Sequence, residues 1–261
     1  MSQQSWEELY SIALEWTKEA GTYIREKMKN TYGVSSKANQ NDLVTDVDRD
    51  VEELFKKKLK ECFPDHRLMG EEGSAELVND LKGVIWILDP IDGTVNFVHQ
   101  ETFFAVSLGV YLNGVGMIGI VYDVMNDEMF SALKGQGAVV NGTKLARLGE
   151  VHLNEAIISM NAGWILKDRR LEYFVNESRG IRSYGSAALE IAYVASGRLD
   201  AYISFALSPW DIAGGVVLLS EVGGIATNYE GNELSYLEKD TFIAANPFIH
   251  EEIIRHVHHK S

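Results

Sequence analysis

The sequence predicts stacked layers of helix and sheet, α/β or α+β in class, and three observations carry that expectation. An apolar stripe at helical spacing opens the chain, apolar segments divided by an Asn113-Gly114 turn follow, and short helices and strands alternate through the second half. With 261 residues, 46% of them hydrophobic, the chain can bury a sizeable core. Only four prolines occur and no Pro/Gly/Ser-rich linker divides the chain. One folding unit over residues 1–261 is therefore expected, built as two intimate lobes that meet near 140–155.

Leu9, Ile12, Ala13, Trp16, Ala20, Tyr23, Ile24 and Met28 recur every three or four positions, which predicts an amphipathic helix over 5–29. A second helix begins near Thr45 and runs to about Cys62, stopped ahead of Pro64. Residues 84–88 form a short, partly β-branched apolar run that reads as a buried strand. Segments 103–112 and 115–122 flank Asn113-Gly114, a pair suited to a two-residue hairpin because both positions tolerate positive φ. A further antiparallel pair, 129–133 and 138–140, is expected around Gly135-Gln136-Gly137, which lacks the strand-to-helix setting of a dinucleotide fingerprint. Beyond these come a strand at 156–160, a helix at 167–177, and a helix at 186–196 stopped by Gly197. A strand at 199–205, a helix at 211–222 stopped by Gly223-Gly224, and a strand at 241–245 complete the series.

Acidic side chains outnumber basic ones 38 to 24, for a net charge of -14, a balance that disfavours nucleic acid and anionic membranes as partners. An anionic substrate could approach such a surface only with cations between, so acidity combined with phosphate chemistry implies metal ions. The lone cysteine, Cys62, excludes an intrachain disulfide framework and suits a reducing cytoplasm. Its neighbours Phe63 and Pro64 suggest an inert core thiol. The N-terminus shows no apolar core of a secretory signal, and the apolar run 105–122 is interrupted by Asn113-Gly114, so it reads as a hairpin and not a membrane span.

Four acidic elements carry the chemistry. In 86–94 (WILDPIDGT) an apolar strand delivers Asp89 to its end, Pro90 stiffens the turn, and Asp92 points a second carboxylate back toward the first, with the Ile91 carbonyl between them. Magnesium prefers oxygen ligands, so this segment can supply much of a binuclear site. Gly93-Thr94 then opens a short helical turn, where a glycine lets a phosphate approach backbone N–H groups. A turn with a helix cap explains the same residues without chemistry. Gly70-Glu71-Glu72-Gly73, taken alone, reads first as a solvated loop and only second as a ligand-bearing one. Asp211, after Pro209-Trp210, sits where an N-cap carboxylate is expected, and the small residues Ala213, Gly214 and Gly215 would let that helix pack very closely. In 42–48 (DLVTDVD), Thr45 and Asp48 have capping-box spacing. Asp46, Asp48 and Asp50 mimic a calcium loop, but Val51 and Lys57 stand where its glycine and closing glutamate belong, which excludes that reading.

In this order, DLVTDVD at 42–48, Gly70-Glu71-Glu72, WILDPIDGTVNF at 86–97, Gly185-Ser186-Ala187-Ala188 and WDIAG at 210–214 resemble the inositol monophosphatase family, lithium-sensitive and magnesium-dependent phosphatases, over about residues 5–250. The resemblance implies an α+β fold, a layered αβαβα sandwich usually built as a homodimer, with two or three Mg2+ ions. It implies that Glu71, Asp89 and the Ile91 carbonyl hold one metal, and that Asp89, Asp92 and Asp211 hold another, with Asp89 bridging. Asp48 and Thr94, with Glu71, would be the catalytic residues that polarise the attacking water. Ile91, Asp92, Gly93, Thr94 and Asp211 would bind the substrate, with the Gly93 and Thr94 backbone donors on the phosphate oxygens, and Gly185, Ser186 and Ala187 would line the alcohol side. Lys37 matches a family lysine near the phosphate.

One departure stands out. Members that handle inositol carry a glutamate seven residues before the WD aspartate, where this sequence has Ser204. Inositol-1-phosphate is thus the leading substrate, with fructose bisphosphate, other sugar phosphates and NADP as alternatives within the family. A regulatory binding protein that retains the fold is the alternative outside it. His256, His258 and His259 are expected at an exposed, frayed helix end; Trp164 is expected in core or interface packing, with an overhang of the pocket as the other reading.

Overall fold

The computed structural model describes residues 3–36, 43–73 and 78–258. It opens on α1 (Gln3–Met28), a short ribbon of β1 (Val34–Ser36) with β2 (Leu43–Thr45), and α2 (Asp46–Cys62). Seven strands then make one sheet in sequence order: β3 (Arg67–Gly70), β4 (Val84–Asp92), β5 (Ala105–Leu112), β6 (Val115–Asp123), β7 (Glu128–Leu133), β8 (Ala138–Val140) and β9 (Thr143–Lys144). Helix α3 (Thr94–Gln100) lies between β4 and β5. The remaining elements are β10 (Ile157–Met160), α4 (Ala162–Lys167), α5 (Glu172–Glu177), β11 (Gly180–Arg182), α6 (Ala187–Ala195), β12 (Ala201–Leu207), α7 (Pro209–Glu221), β13 (Ile225–Thr227), β14 (Asp240–Ala245) and α8 (Pro247–His258). Their strands form a second sheet in the order β11-β10-β12-β14-β13.

Period-two alternation along the strands sets the layers. On β4, Trp86 and Leu88 face one way and pack with Leu9, Trp16, Phe55 and other residues of α1 and α2; Trp16 stacks on Trp86 with ring centres 5.3 Å apart. Ile85 and Ile87 face the other way, toward Ile191 of α6 and Ile212 and Val217 of α7. That same cluster takes in Tyr202, Phe242 and Ala244 of the second sheet, so α6 and α7 are sandwiched between the sheets. Every residue of α6 is buried, as a helix covered on both sides requires. The outer face of the second sheet, Ala201, Ile203, Ile243 and Ala245, packs on Ile249, Ile253 and Val257 of α8 and Phe174 of α5. Helix, sheet, helix, sheet, helix is the expected αβαβα order. Each large apolar side chain buried this way contributes roughly 1.5–3 kcal/mol.

Among the local expectations, Asn113 and Gly114 both adopt positive φ, 50° and 81°, as the hairpin turn requires. Three expectations need correction. The helix expected over 167–177 is broken, because Asp168 is extended (φ -135°) and its carboxylate caps the Arg170 N–H at 3.0 Å. The Cys62 thiol is exposed: Phe63, tilted against Trp16 at 6.0 Å, continues the apolar face of α2 in its place. His256 is not frayed but stacked on Tyr173, 3.6 Å between ring centres, whereas His258 is exposed and His259 lies outside the described residues. Among the described residues no helix is long and apolar enough to cross a membrane.

Candidate active site

Strand β4 does not end at Leu88, as its composition suggests, but continues to Asp92 through a bulge. Asp89 pairs with Ser107 and Asp92 with Ala105, so three steps on β4 match two on β5. In a regular strand, residues three apart point to opposite faces; the extra residue restores parity and turns both carboxylates to the same face. Pro90, which has no N–H to give a ladder, sits at the irregularity, and the Ile91 N–H donates instead to Asp89 Oδ1 at 3.1 Å.

Asp211 reaches the same place from the start of α7. That helix lies almost backbone to backbone on β5 and β6. A Cβ on Gly119 would fall 2.3 Å from the Gly214 carbonyl, and one on Gly214 would fall 2.6 Å from the Ile120 carbonyl. Small residues at these crossings bring Asp211 down onto the sheet, where ligand oxygens of Asp89, Asp92 and Asp211 lie within 4.8 Å of one another. Asp211 also keeps the capping role: its Oδ2 accepts the Ser208 N–H at 2.7 Å.

Asp48 divides its two oxygens in the same manner. Oδ2 accepts the Thr45 N–H at 2.9 Å and the Thr45 hydroxyl in a capping box, while Oδ1 faces the Thr94 hydroxyl at 3.5 Å. The Thr94 hydroxyl also donates to the Ile91 carbonyl at 3.1 Å. Glu71 stands outside the group of three, yet its charge raises the pKa of both Asp89 and Asp48. The loop carrying Glu71 is held by Glu52, fully buried one helical turn after Asp48, whose carboxylate accepts the Glu72 N–H at 2.8 Å. A Cβ on Gly70 would meet that carboxylate at 2.2 Å, so the glycine admits it.

Electrostatics mark the cluster as a cation site. Burial pushes Asp89 well above the usual carboxylate range, and the charges of Glu71, Asp92 and Asp211 push it further. Burial, then Asp211, raises Asp92 to about 8, opposed by hydrogen bonds from the Ser186 hydroxyl and the Ala188 N–H. Burial also lifts Asp48 to about 6. Desolvated carboxylates that repel one another are stabilised by a hard divalent cation with oxygen preference, and the donor set here is all oxygen.

Beside the carboxylates lies a cavity of about 250 Å3, lined by Asp92, Asp211, Glu190, Tyr202, Ser204 and Trp164. Gly185 and Ala187 line it too, and Ser186 is buried on Asp92. Gly93 has φ 94°, and a Cβ there would sit 3.3 Å from the Gly185 carbonyl, so the two loops meet at glycines. Trp164 overhangs the cavity, edge-on to Phe205 at 5.2 Å. Lys37 and Asp42 lie outside the described residues. The sequence reading passed over Glu52 and Glu190. Glu52 had a signal, an acidic residue at i+4 from Asp48 beside the apolar stripe Val47, Val51, Phe55 and Leu59. Glu190 had another, a lone acidic residue inside the apolar helix 187–195.

A model of the inositol monophosphatase family matches residues 5–261. The inositol-1-monophosphatase of Bacillus subtilis (strain 168) is 48% identical over 260 residues, covering 98% of each chain. The crystal structure of inositol monophosphate bound SaIMPase-II superposes with a TM-score of 0.86 at 39% identity, covering 95% of this chain and 92% of that one. An IMPase/NADP phosphatase complexed with Mg2+ and phosphate superposes with a TM-score of 0.92 at 28% identity, covering 98% and 97%. With fold, carboxylate cluster and whole-chain similarity in agreement, the chain belongs to the inositol monophosphatase family of metal-dependent phosphatases and is a phosphoric monoester hydrolase.

Proposed function

We propose that this chain hydrolyses inositol-1-phosphate to inositol and phosphate with Mg2+, two or three ions at a time, working as a cytoplasmic homodimer folded as one unit. The observation that carries the reading is the meeting of Asp89 and Asp92 with Asp211, more than a hundred residues further along the sequence, within 4.8 Å. Glu71, Asp89 and the Ile91 carbonyl would hold one ion, and Asp89, Asp92 and Asp211 a second, with Asp89 shared. Bound there, Mg2+ supplies charge neutralisation to the phosphoryl oxygens and lowers the pKa of water.

The chain's own groups do the rest. The Thr94 hydroxyl, between Asp48 Oδ1 and the Ile91 carbonyl, orients the attacking water opposite the leaving oxygen. Asp48, at about 6, is mostly ionised at neutral pH and can take the water's proton through Thr94. Backbone N–H groups of Gly93 and Thr94 face the phosphate oxygens. Gly185, Ser186 and Ala187 wall the alcohol, and Ser186 with the Ala188 N–H fixes the Asp92 carboxylate.

A second reading, hydrolysis of an NADP-like or other nucleotide monoester, draws on one feature. The alcohol pocket adjoins a cavity of about 480 Å3 lined by Trp164, Phe205, Ala206, Asp168 and Lys167, with Lys167 Nζ 4.6 Å from the Trp164 ring centre. Aromatic faces beside a cation suit a base and a second anionic group. Phosphate release from inositol-1-phosphate, fructose-1,6-bisphosphate and NADP, with and without Mg2+, decides among these. Mg2+-dependent release strongest from inositol-1-phosphate is expected. Release strongest from NADP favours the second reading, and no Mg2+-dependent release from any of them overturns catalysis in favour of a regulatory binding protein.

A further inference from the structure

Ser204 leaves the alcohol wall without the glutamate that its position would carry in inositol-handling relatives, yet the wall still holds a carboxylate from another element. Glu190 lines the cavity beside Tyr202 and Ser204 and is 3% exposed. Three bonds converge on one oxygen: Oε1 accepts from the Tyr184 N–H at 2.6 Å and the Gly185 N–H at 3.3 Å of the neighbouring loop, and from the Ser159 hydroxyl of β10 at 3.0 Å. The Tyr202 hydroxyl bears on the same carboxylate and, in turn, on Ser204. A carboxylate has about four acceptor sites over two oxygens, so one oxygen can tie the loop while the other serves the cavity. Ser204, itself 2% exposed, is too short to approach a substrate hydroxyl as a glutamate would, and Glu190 lines the same cavity.

We infer that Glu190 is the specificity-determining carboxylate of the alcohol pocket, accepting hydrogen bonds from hydroxyls of the phosphorylated alcohol in place of the glutamate absent at position 204. The inference rests on the reading that this pocket takes the alcohol of a phosphate monoester. It departs from a purely structural role for Glu190, in which the carboxylate only ties the 184–186 loop and so supports Asp92 equally for every substrate.

The test is a ratio: kcat/KM for inositol-1-phosphate divided by kcat/KM for p-nitrophenyl phosphate, whose leaving group has no further hydroxyls. Glu190→Gln keeps an oxygen for the Tyr184 and Gly185 N–H groups and removes the charge. The ratio should fall about tenfold or more, the scale of a lost charged hydrogen bond, mainly through a higher KM for inositol-1-phosphate. Adding Ser204→Glu to Glu190→Gln should recover most of the loss, because a carboxylate returns to the same wall. A ratio unchanged while both activities fall together overturns the inference in favour of loop support, and a ratio unchanged at full activity overturns it outright. Should Glu190→Gln fail to fold, Glu190→Asp, which keeps the charge but shortens its reach, should lower the ratio in the same direction, and an unchanged ratio there also overturns it. Wild-type protein that releases phosphate from neither substrate with Mg2+ instead defeats the phosphatase reading itself, a result separable from the others.

Discussion

The two ends proposed for the pocket, one for the phosphate and one for the alcohol, are built on opposite plans. At the phosphate end, Asp89, Ile91, Asp92, Gly93 and Thr94 come from one unbroken stretch, and among the described residues Asp48, Glu71 and Asp211 are brought to it. At the alcohol end, one short run, Gly185-Ser186-Ala187, is joined by Trp164, Glu190, Tyr202 and Ser204 from α4, α6 and β12, no two of these four adjacent in sequence. Chemistry shared by every phosphate monoester needs fixed relative positions, and a strand bulge running into a glycine turn fixes them locally. Recognition of the alcohol needs a wall that can change one side chain at a time, and residues on separate elements allow that. Substitutions at the first end should therefore remove turnover, whereas those at the second should redistribute it among substrates.

The largest effect is expected at Asp89, which both proposed ions share. Asp89→Asn should lower kcat roughly 10^3-fold or more, the scale on which loss of a transition-state-stabilising group is felt. The fold should persist, because in metal-free protein this carboxylate is already repelled by Glu71, Asp92 and Asp211. The sign follows from linkage. Asp48 and Asp92 have folded-state pKa values near 6 and 8, above the ordinary 3.8. Their contribution to stability is full below about pH 4 and is lost as pH rises through those values. Thermal melting in EDTA should thus show a Tm that falls from about pH 4 to about pH 8, with a shallower fall in Asp89→Asn and an opposing rise when Mg2+ is restored. A metal-free Tm that climbs over that range would contradict the mutual repulsion.

Next in size is the backbone contact beneath Asp211. A methyl group at Gly214 would meet the Ile120 carbonyl at 2.6 Å and the Leu108 carbonyl at 3.0 Å, backbone atoms with nowhere to yield. Gly214→Ala should destabilise by about 1–3 kcal/mol and lift the start of α7 away from the bulge. Urea unfolding with a parallel Mg2+ titration separates the two consequences. A stability loss accompanied by unaltered Mg2+ half-saturation would mean that the close crossing serves packing alone.

These contrasts also explain how far the sequence could be read. The mixture of helices and strands and the Asn113-Gly114 hairpin were legible because periodicity and turn chemistry are local signals, whereas the layer order and the meeting of Asp211 with Asp89 and Asp92 were legible only through the family resemblance. The bulge was not: a run ending in Leu88-Asp89-Pro90 looks like a strand that stops, and only its pairing with Ser107 and Ala105 reveals an extra residue. Cys62 was misjudged because one position of helical phase separates it from Phe63, which the core takes instead. Glu190 was invisible as a site residue since the apolar helix around it reads as core, and nothing local says that one wall of that core faces a cavity.

Glu52 provides the smallest and most discriminating effect, because it belongs to the phosphate end without being one of the three clustered aspartates. Its carboxylate accepts the Glu72 N–H at 2.8 Å and fills the space that a side chain at Gly70 would need, so it sets where Glu71 stands. Glu52→Gln retains an acceptor oxygen but gives up the charge that strengthens the bond, and Glu52→Ala loses both. Mg2+ half-saturation of phosphate release should rise about tenfold in Glu52→Ala and less in Glu52→Gln, with activity recovering at high Mg2+, as expected of a partner that positions a ligand rather than acting as one. The inositol-1-phosphate to p-nitrophenyl phosphate ratio should stay at the wild-type value, since Glu71 bears on Asp48 and Asp89 and is not itself among the residues lining the cavity. A shift in that ratio would show that the two ends are coupled through α2, and the division between fixed chemistry and adjustable recognition would have to be abandoned.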